Sequence, residues 1–166
     1  MTKKTRKIVT TAVVAGLYAT LTLSLAPISY AQIQFRLSEV MTLLPLLGKE
    51  YILGLTIGCF LANLLGPYGV PDMIFGTIAT FISVYLVYLT GKYMKDKKSY
   101  VYAASLWPVI VNAIIVAVQL KIFFGMPLFI TMLQVGFGQF VVITIIGVPL
   151  FKAVNNKYGK YLKNMF

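Results

Sequence analysis

Two of the chain's four acidic residues, Glu39 and Asp72, stand inside or beside long apolar runs. Glu39 lies three residues after Arg36 in "QIQFRLSEV", residues 32–40, just where a charge-free run from Ile8 to Phe35 ends. The carboxamides Gln32, Gln34, Asn63, Asn112, Gln119, Gln134 and Gln139 are also embedded in or next to apolar sequence. A carboxylate accepts hydrogen bonds, a guanidinium donates them in a planar fork, and a carboxamide does both. That set can recognise a polar ligand, but little in it could transform one. The chain has no histidine, the commonest general base and metal ligand. Cys59 is its one cysteine, so no disulfide framework and no Cys–His pair can form. The pattern G-x-x-x-x-G-K-[ST] has no match, so the chain carries no P-loop for ATP. A binding protein is expected, without cofactor or metal, and not an enzyme.

Each polar residue has a plainer role open to it. Arg36 and Glu39 can pair across i,i+3 at a helix start, with Ser38 as the cap. Asp72 beside Pro71 can complement a helix dipole. Asn112 and Gln119 can serve as interhelical hydrogen bonds.

The elements that must hold these groups follow from hydropathy. A mean hydropathy of +0.85, 59% hydrophobic residues and only 11% charged residues place the 166-residue chain among integral membrane proteins. Charge-free stretches at 8–35, 51–71, 73–91, 99–120 and 122–151 are each long enough to cross a bilayer. A sixth, "LSEVMTLLPLLG" at 37–48, is short and carries Glu39 and Pro45.

Charge decides for the sixth. With six spans and a cytoplasmic N-terminus, 13 of the 15 basic residues fall inside: Lys3, Lys4, Arg6, Lys7, Lys49, Lys92, Lys95, Lys97, Lys98, Lys152, Lys157, Lys160 and Lys163. Only Arg36 and Lys121 fall outside. Without the short span, "KYMKDKK" would move to the outer side. The expected fold is therefore an all-α integral membrane protein, one domain over residues 1–166 with both termini cytoplasmic. Its helices run roughly over 8–27, 33–48, 51–66, 71–91, 99–124 and 128–152, and residues 153–166 form a cytoplasmic tail lying amphipathically at the surface. "KKTRK" before the first apolar run also has the outline of a signal peptide, but the length of that run favours a retained anchor. Pro27 is expected to close the first helix, Pro71 to open the fourth, and Gly125 with Pro127 to separate the last two. The net charge of +11 flanks apolar runs, where it meets anionic headgroups; no basic stripe with interleaved aromatics suggests nucleic acid.

In this arrangement the polar residues collect in the outer half of the membrane. A buried acid there costs about 2.5–3.5 kcal/mol on insertion scales and is commonly functional or paired. Polar groups from five helices at one depth suggest a single cavity open to the outside. On the inner half of the first helix, Ala12, Ala15, Gly16 and Ala19 form a small-residue strip suited to close helix approach, whether by a partner or within the bundle. With no ATP site and no pair of broken helices, the chain is expected to borrow energy from partners.

"LAPISYAQIQFRLSEVMTLLPLL" followed by "GCFLANLLGPYGVPDMIFGTIAT" resembles the QueT-type substrate-binding (S) component of energy-coupling factor (ECF) transporters. The resemblance covers residues 8 to about 152 and includes an AxxxA signature at Ala15 to Ala19. It implies a six-helix S-component fold in the bacterial plasma membrane, with an outer pocket capped by the loop between the first two helices. It also implies docking through the first helix onto a transmembrane coupling subunit, EcfT, with two ATPases. The implied substrate is a queuosine precursor, a 7-deazaguanine such as the 7-aminomethyl base, or queuine. One carboxylate can accept the adjacent N1–H and N2–H₂ of a guanine-like edge, and a cationic aminomethyl group favours a second acid. The sequence leaves open which of Glu39 and Asp72 does which. An S component for another vitamin-like substrate, or a membrane scaffold without a pocket, are the alternatives.

Overall fold

A computed structural model describes residues 2–97 and 99–163. Lys98 of the basic loop and Asn164, Met165 and Phe166 of the expected tail lie outside the described residues. Among the described residues all regular structure is helical. The elements are α1 (Lys3–Ser24), α2 (Ala26–Ser29), a 3-10 helix (Leu37–Leu46), α3 (Tyr51–Leu64), α4 (Gly69–Tyr93) and α5 (Tyr100–Phe124). Then α6 (Leu128–Gln139), a π-helical stretch (Phe140–Gly147) and α7 (Val148–Lys163) follow one another without a break. Four helical segments are long and apolar enough to cross a membrane: Lys4–Ser24, Gly69–Tyr93, Tyr100–Phe124 and Leu128–Gly159. Leu37–Leu46 and Tyr51–Leu64 are apolar but shorter.

Several boundaries depart from the sequence expectation for local reasons. α1 stops at Ser24, and Pro27 sits in the first turn of α2 instead of closing α1. Proline suits a first helical turn, where its missing N–H is no loss. The segment expected as a helix over 33–48 begins only at Leu37 and is 3-10 throughout, with Pro45 inside it. At about 2.0 Å per residue a 3-10 helix of this length reaches about 20 Å, where an α-helix would reach about 15 Å. The stretch beyond 152 does not separate as a tail; α7 carries the last helix on to Lys163. Tyr51 at the start of α3 donates its hydroxyl to the Leu162 carbonyl at 3.0 Å and ties that end down. The break between α5 and α6 falls where expected. Gly125 takes a left-handed φ of 67°, its N–H and that of Met126 return to the carbonyls of Lys121 and Leu120, and Pro127 caps α6.

One apolar core joins the 3-10 helix, α4, α5 and the α6–α7 rod through Leu43, Val87, Val101, Ala104, Ile143 and Val148. A second joins α1, α3 and α4 through Val14, Tyr18, Leu55, Cys59, Ala62 and Val84. α1 and α3 touch at backbone distance. A Cβ on Gly58 would lie 2.8 Å from Cβ of Tyr18 and 2.9 Å from the Ala15 carbonyl oxygen. "GLTIG", Gly54 to Gly58, is thus an internal contact. The small-residue strip on α1 divides in two. Ala15 and Ala19 are buried against the bundle, while Ala12 and Gly16 are exposed.

The two ends of the bundle differ. Lys49, Lys92 and Lys95 gather beside Gly48 and Tyr88 at the end where α1, α3 and α5 begin. Lys152 lies 4.3 Å over the Tyr102 ring at the same end, and Trp107 is a packing residue whose Nε1 donates to Thr90 Oγ1 at 2.9 Å. The opposite end, where α4 and α6 begin, holds Glu39, Asp72 and the buried amides Asn63 and Gln119.

Candidate ligand-binding site

Between α2 and the 3-10 helix, Ala31 and Gln32 stay exposed while Gln34 and Arg36 turn into the bundle. Gln34 has a φ of 52°, and its N–H bonds the Ala31 carbonyl at 2.9 Å. A left-handed conformation costs a residue with a Cβ about 1–2 kcal/mol, so surrounding contacts must hold it. They do. Tyr30 Oη donates to the Ala62 carbonyl at 2.6 Å, and Tyr68 Oη donates to the Tyr30 carbonyl at 2.9 Å. Burial, reinforced by the Asp72 carboxylate, raises the Tyr68 phenol above its ordinary value, so that hydroxyl stays a donor. Tyr68 stacks edge-on against Phe124, and Phe35 against Phe137. On α6, Gly138 lets the Ile33 carbonyl approach so closely that a Cβ there would overlap its oxygen.

The clamped loop buries Gln34 and Arg36, at 4% and 6% exposure. The Arg36 guanidinium lies 5.1 Å over the Tyr30 ring and pairs with Asp72, Nη2 to Oδ2, at 3.7 Å. This corrects the local Arg36–Glu39 pair: the arginine reaches across to α4. Ser38 does not cap a helix either; its hydroxyl meets Thr22 Oγ1 of α1 at 2.6 Å. Asp72 sits in the first turn of α4, where the dipole favours it, and Gln119 Nε2 of α5 donates to its Oδ1 at 3.3 Å. Asn63 Nδ2 of α3 donates to the Asp72 carbonyl at 3.1 Å and to Cys59 Sγ at 3.3 Å. Gly76 makes room for both, since a Cβ there would run into the Asn63 amide. Glu39 is held from the other side, its Oε1 accepting from Tyr18 Oη of α1 at 2.5 Å.

Among the described residues, Arg36, Glu39, Asn63, Asp72, Gln119 and Gln139 each carry a buried side-chain atom with no hydrogen-bond partner: Nε, Oε2, Oδ1, Oδ2, Oε1 and Oε1, the Asp72 oxygen having only the longer ion pair to Arg36. Leaving such an atom unpaired costs about 1–3 kcal/mol, and native interiors hold few. Here they come from five helical elements and one loop, donors and acceptors mixed, at one end of the bundle. Asn112 is buried two turns before Gln119 on α5. Gln32 and Gln134 are not in the cluster; they line a cleft of about 150 Å³ at its rim with Tyr68, Met126 and Thr131. Tyr18, Tyr30 and Tyr68, which steer this geometry, were not singled out by sequence reasoning. Tyr18 had a signal: a hydroxyl in mid-span, one turn before Thr22.

The family model for the QueT transporter matches residues 8–156. The chain belongs to the QueT transporter family. It is 33% identical over 147 residues to the "Queuosine precursor transporter QueT" of Lactococcus lactis subsp. cremoris (strain MG1363), covering 82% of this chain and 85% of that protein. No solved structure matches it. A QueT-family chain is a transporter, not an enzyme, and its apolar helices fit a membrane protein.

The loop's seat is testable. Gly138→Ala should favour the helix by up to about 1 kcal/mol, since alanine is the better helix former. Its methyl group should nevertheless displace Ile33 and Gln34. Because the clash is with backbone, its cost outweighs the helix gain, and the expected outcome is a lowered unfolding temperature together with ligand affinity reduced at least about tenfold, read by thermal unfolding and calorimetry.

Proposed function

We propose that the chain is the S component of an ECF-type importer of a queuosine precursor, a 7-deazaguanine base. It would cross the bacterial plasma membrane six times, with both termini cytoplasmic. The buried cluster of unpartnered donors and acceptors carries this reading, and it lies at the end away from most lysines. The Lactococcus relative is named for the same substrate class.

The chemistry of the cluster suits such a base. Asp72 would accept the paired N1–H and N2–H₂ of the guanine-like edge, Arg36 would donate to O6, and the amides of Asn63, Gln119 and Gln139 would complete the plane. Gln34, Asn112, Gln32 and Gln134 would shape the walls and mouth. The loop over residues 30–36 would close the pocket from outside.

Energy would come from elsewhere. Between α1 and α3 lies a groove of about 580 Å³ lined by Thr11, Ala12, Ala15, Gly16, Leu53 and Ile57, among others. That groove would seat a helix of EcfT, which carries the two ATPases. Reconstitution into liposomes tests the scheme. The chain alone should bind a 7-deazaguanine but not concentrate it under a proton gradient. Uptake should appear only with EcfT, both ATPases and ATP on the cytoplasmic side. Concentrative uptake by the chain alone would make it a secondary transporter and overturn the proposal.

A further inference from the structure

We propose that Glu39 is the counter-ion for a positive charge on the ligand, so that the site prefers a singly cationic base to a neutral one of the same shape. The inference rests on the ligand class proposed above and concerns which member of it the site selects. The buried cluster contains one cation, Arg36, and two acids, Glu39 and Asp72. Arg36 is committed to Asp72 at 3.7 Å, and Gln119 supports the same carboxylate at 3.3 Å. Among the described residues Glu39 forms no ion pair. The one hydrogen bond of its side chain there is from the neutral Tyr18 hydroxyl to Oε1, and Oε2 has no partner although the residue is 1% exposed. Lys121, the other basic residue at this end, is exposed at the close of α5.

A carboxylate so buried is strongly disfavoured unless a cation or a proton joins it. A ligand ammonium supplies the cation with a charge-assisted hydrogen bond to Oε2, and the filled site then balances at two positive and two negative charges. A neutral ligand leaves the site with an uncompensated negative charge, or requires a proton on Glu39. Tyr18 fixes Oε1, so Oε2 is the oxygen left to receive the ammonium. The two acids thus divide the ligand: Asp72 takes the base edge and Glu39 the charged substituent.

The test uses a matched pair on the full chain in detergent: 7-aminomethyl-7-deazaguanine, which is cationic, and 7-hydroxymethyl-7-deazaguanine, its neutral isostere. Calorimetry is expected to show the cationic base binding at least about tenfold tighter. Glu39→Gln is expected to weaken the cationic base by at least about tenfold and the neutral one by less than about threefold, erasing the preference. The wild-type comparison stands whether or not the variant folds well. Equal binding of both bases by the wild type overturns the charge assignment alone. So does a Glu39→Gln variant that weakens both alike, since Glu39 would then act on the shared base or the fold. If neither base binds, the functional proposal falls as well.

Discussion

Asp72→Asn is expected to lower affinity for a 7-deazaguanine by at least about a hundredfold and to lower the unfolding temperature of the ligand-free protein. The substitution keeps shape but removes the charge facing Arg36, which is only 6% exposed. Removing one member of a buried ion pair costs about 3–5 kcal/mol, because the remaining charge stays buried without compensation. It also leaves one acceptor and one donor where a guanine-like edge needs two acceptors. A double variant separates these effects. Arg36→Met with Asp72→Leu removes both charges, and such replacement is often neutral or stabilising. The double variant should regain thermal stability while binding stays lost. Wild-type affinity in Asp72→Asn would show that Asp72 serves only to hold Arg36 and never reads the ligand.

Gly16→Leu is expected to abolish uptake in the reconstituted transporter while leaving ligand affinity and unfolding temperature near the parent values. A Cβ at Gly16 meets nothing within 4 Å, so the chain itself can accept a larger side chain there. The leucine would instead fill the groove beside Ala12, Leu53 and Ile57 and keep a partner helix at a distance. Ala15→Leu is the contrasting case. Ala15 is 4% exposed, and its backbone lies within 3.1 Å of where a Gly58 Cβ would sit. Overpacking this contact should cost about 1–3 kcal/mol and appear as lost stability. If Gly16→Leu still co-purifies with EcfT and transports, the groove is not the docking face.

The polar cluster was legible because acids and amides inside apolar runs are costly and therefore informative, and because helix direction assigns each a depth. The structure joins Arg36, Asn63 and Gln119 directly to Asp72 and buries Gln34, Glu39 and Gln139 as well. Their pairing was not legible. Local spacing offered Arg36 to Glu39 at i,i+3, but the backbone enters a 3-10 helix at Leu37 and the guanidinium lies toward α4. Sequence spacing carries no information about contacts between α1, α4 and the loop. The tyrosines that clamp the loop were hidden for a related reason, since a tyrosine in an apolar protein reads as interface or core until its hydroxyl is seen to have a partner. The strip on α1 is not a single face. Ala12 and Gly16, four residues apart on one ridge of the helix, are exposed in the groove, while Ala15 and Ala19 on the next ridge are buried, Ala15 against Gly58 at the groove's floor.

Whether the buried cluster is a ligand site or a structural polar core is decided by a thermal-unfolding titration of the purified chain. The protein is titrated with 7-aminomethyl-7-deazaguanine, queuine, guanine and unrelated vitamins, and each ligand's effect on the unfolding temperature is recorded. Binding to the folded state alone at a hundred times Kd stabilises by about 2.7 kcal/mol, a shift of several degrees for a chain of this size. Such a shift is expected for the deazaguanines, saturating at one ligand per chain, and is expected to be lost in Asp72→Asn. A folded wild-type protein whose unfolding temperature no deazapurine raises would contradict a ligand site, and would leave Arg36, Asp72 and Glu39 as a structural polar core.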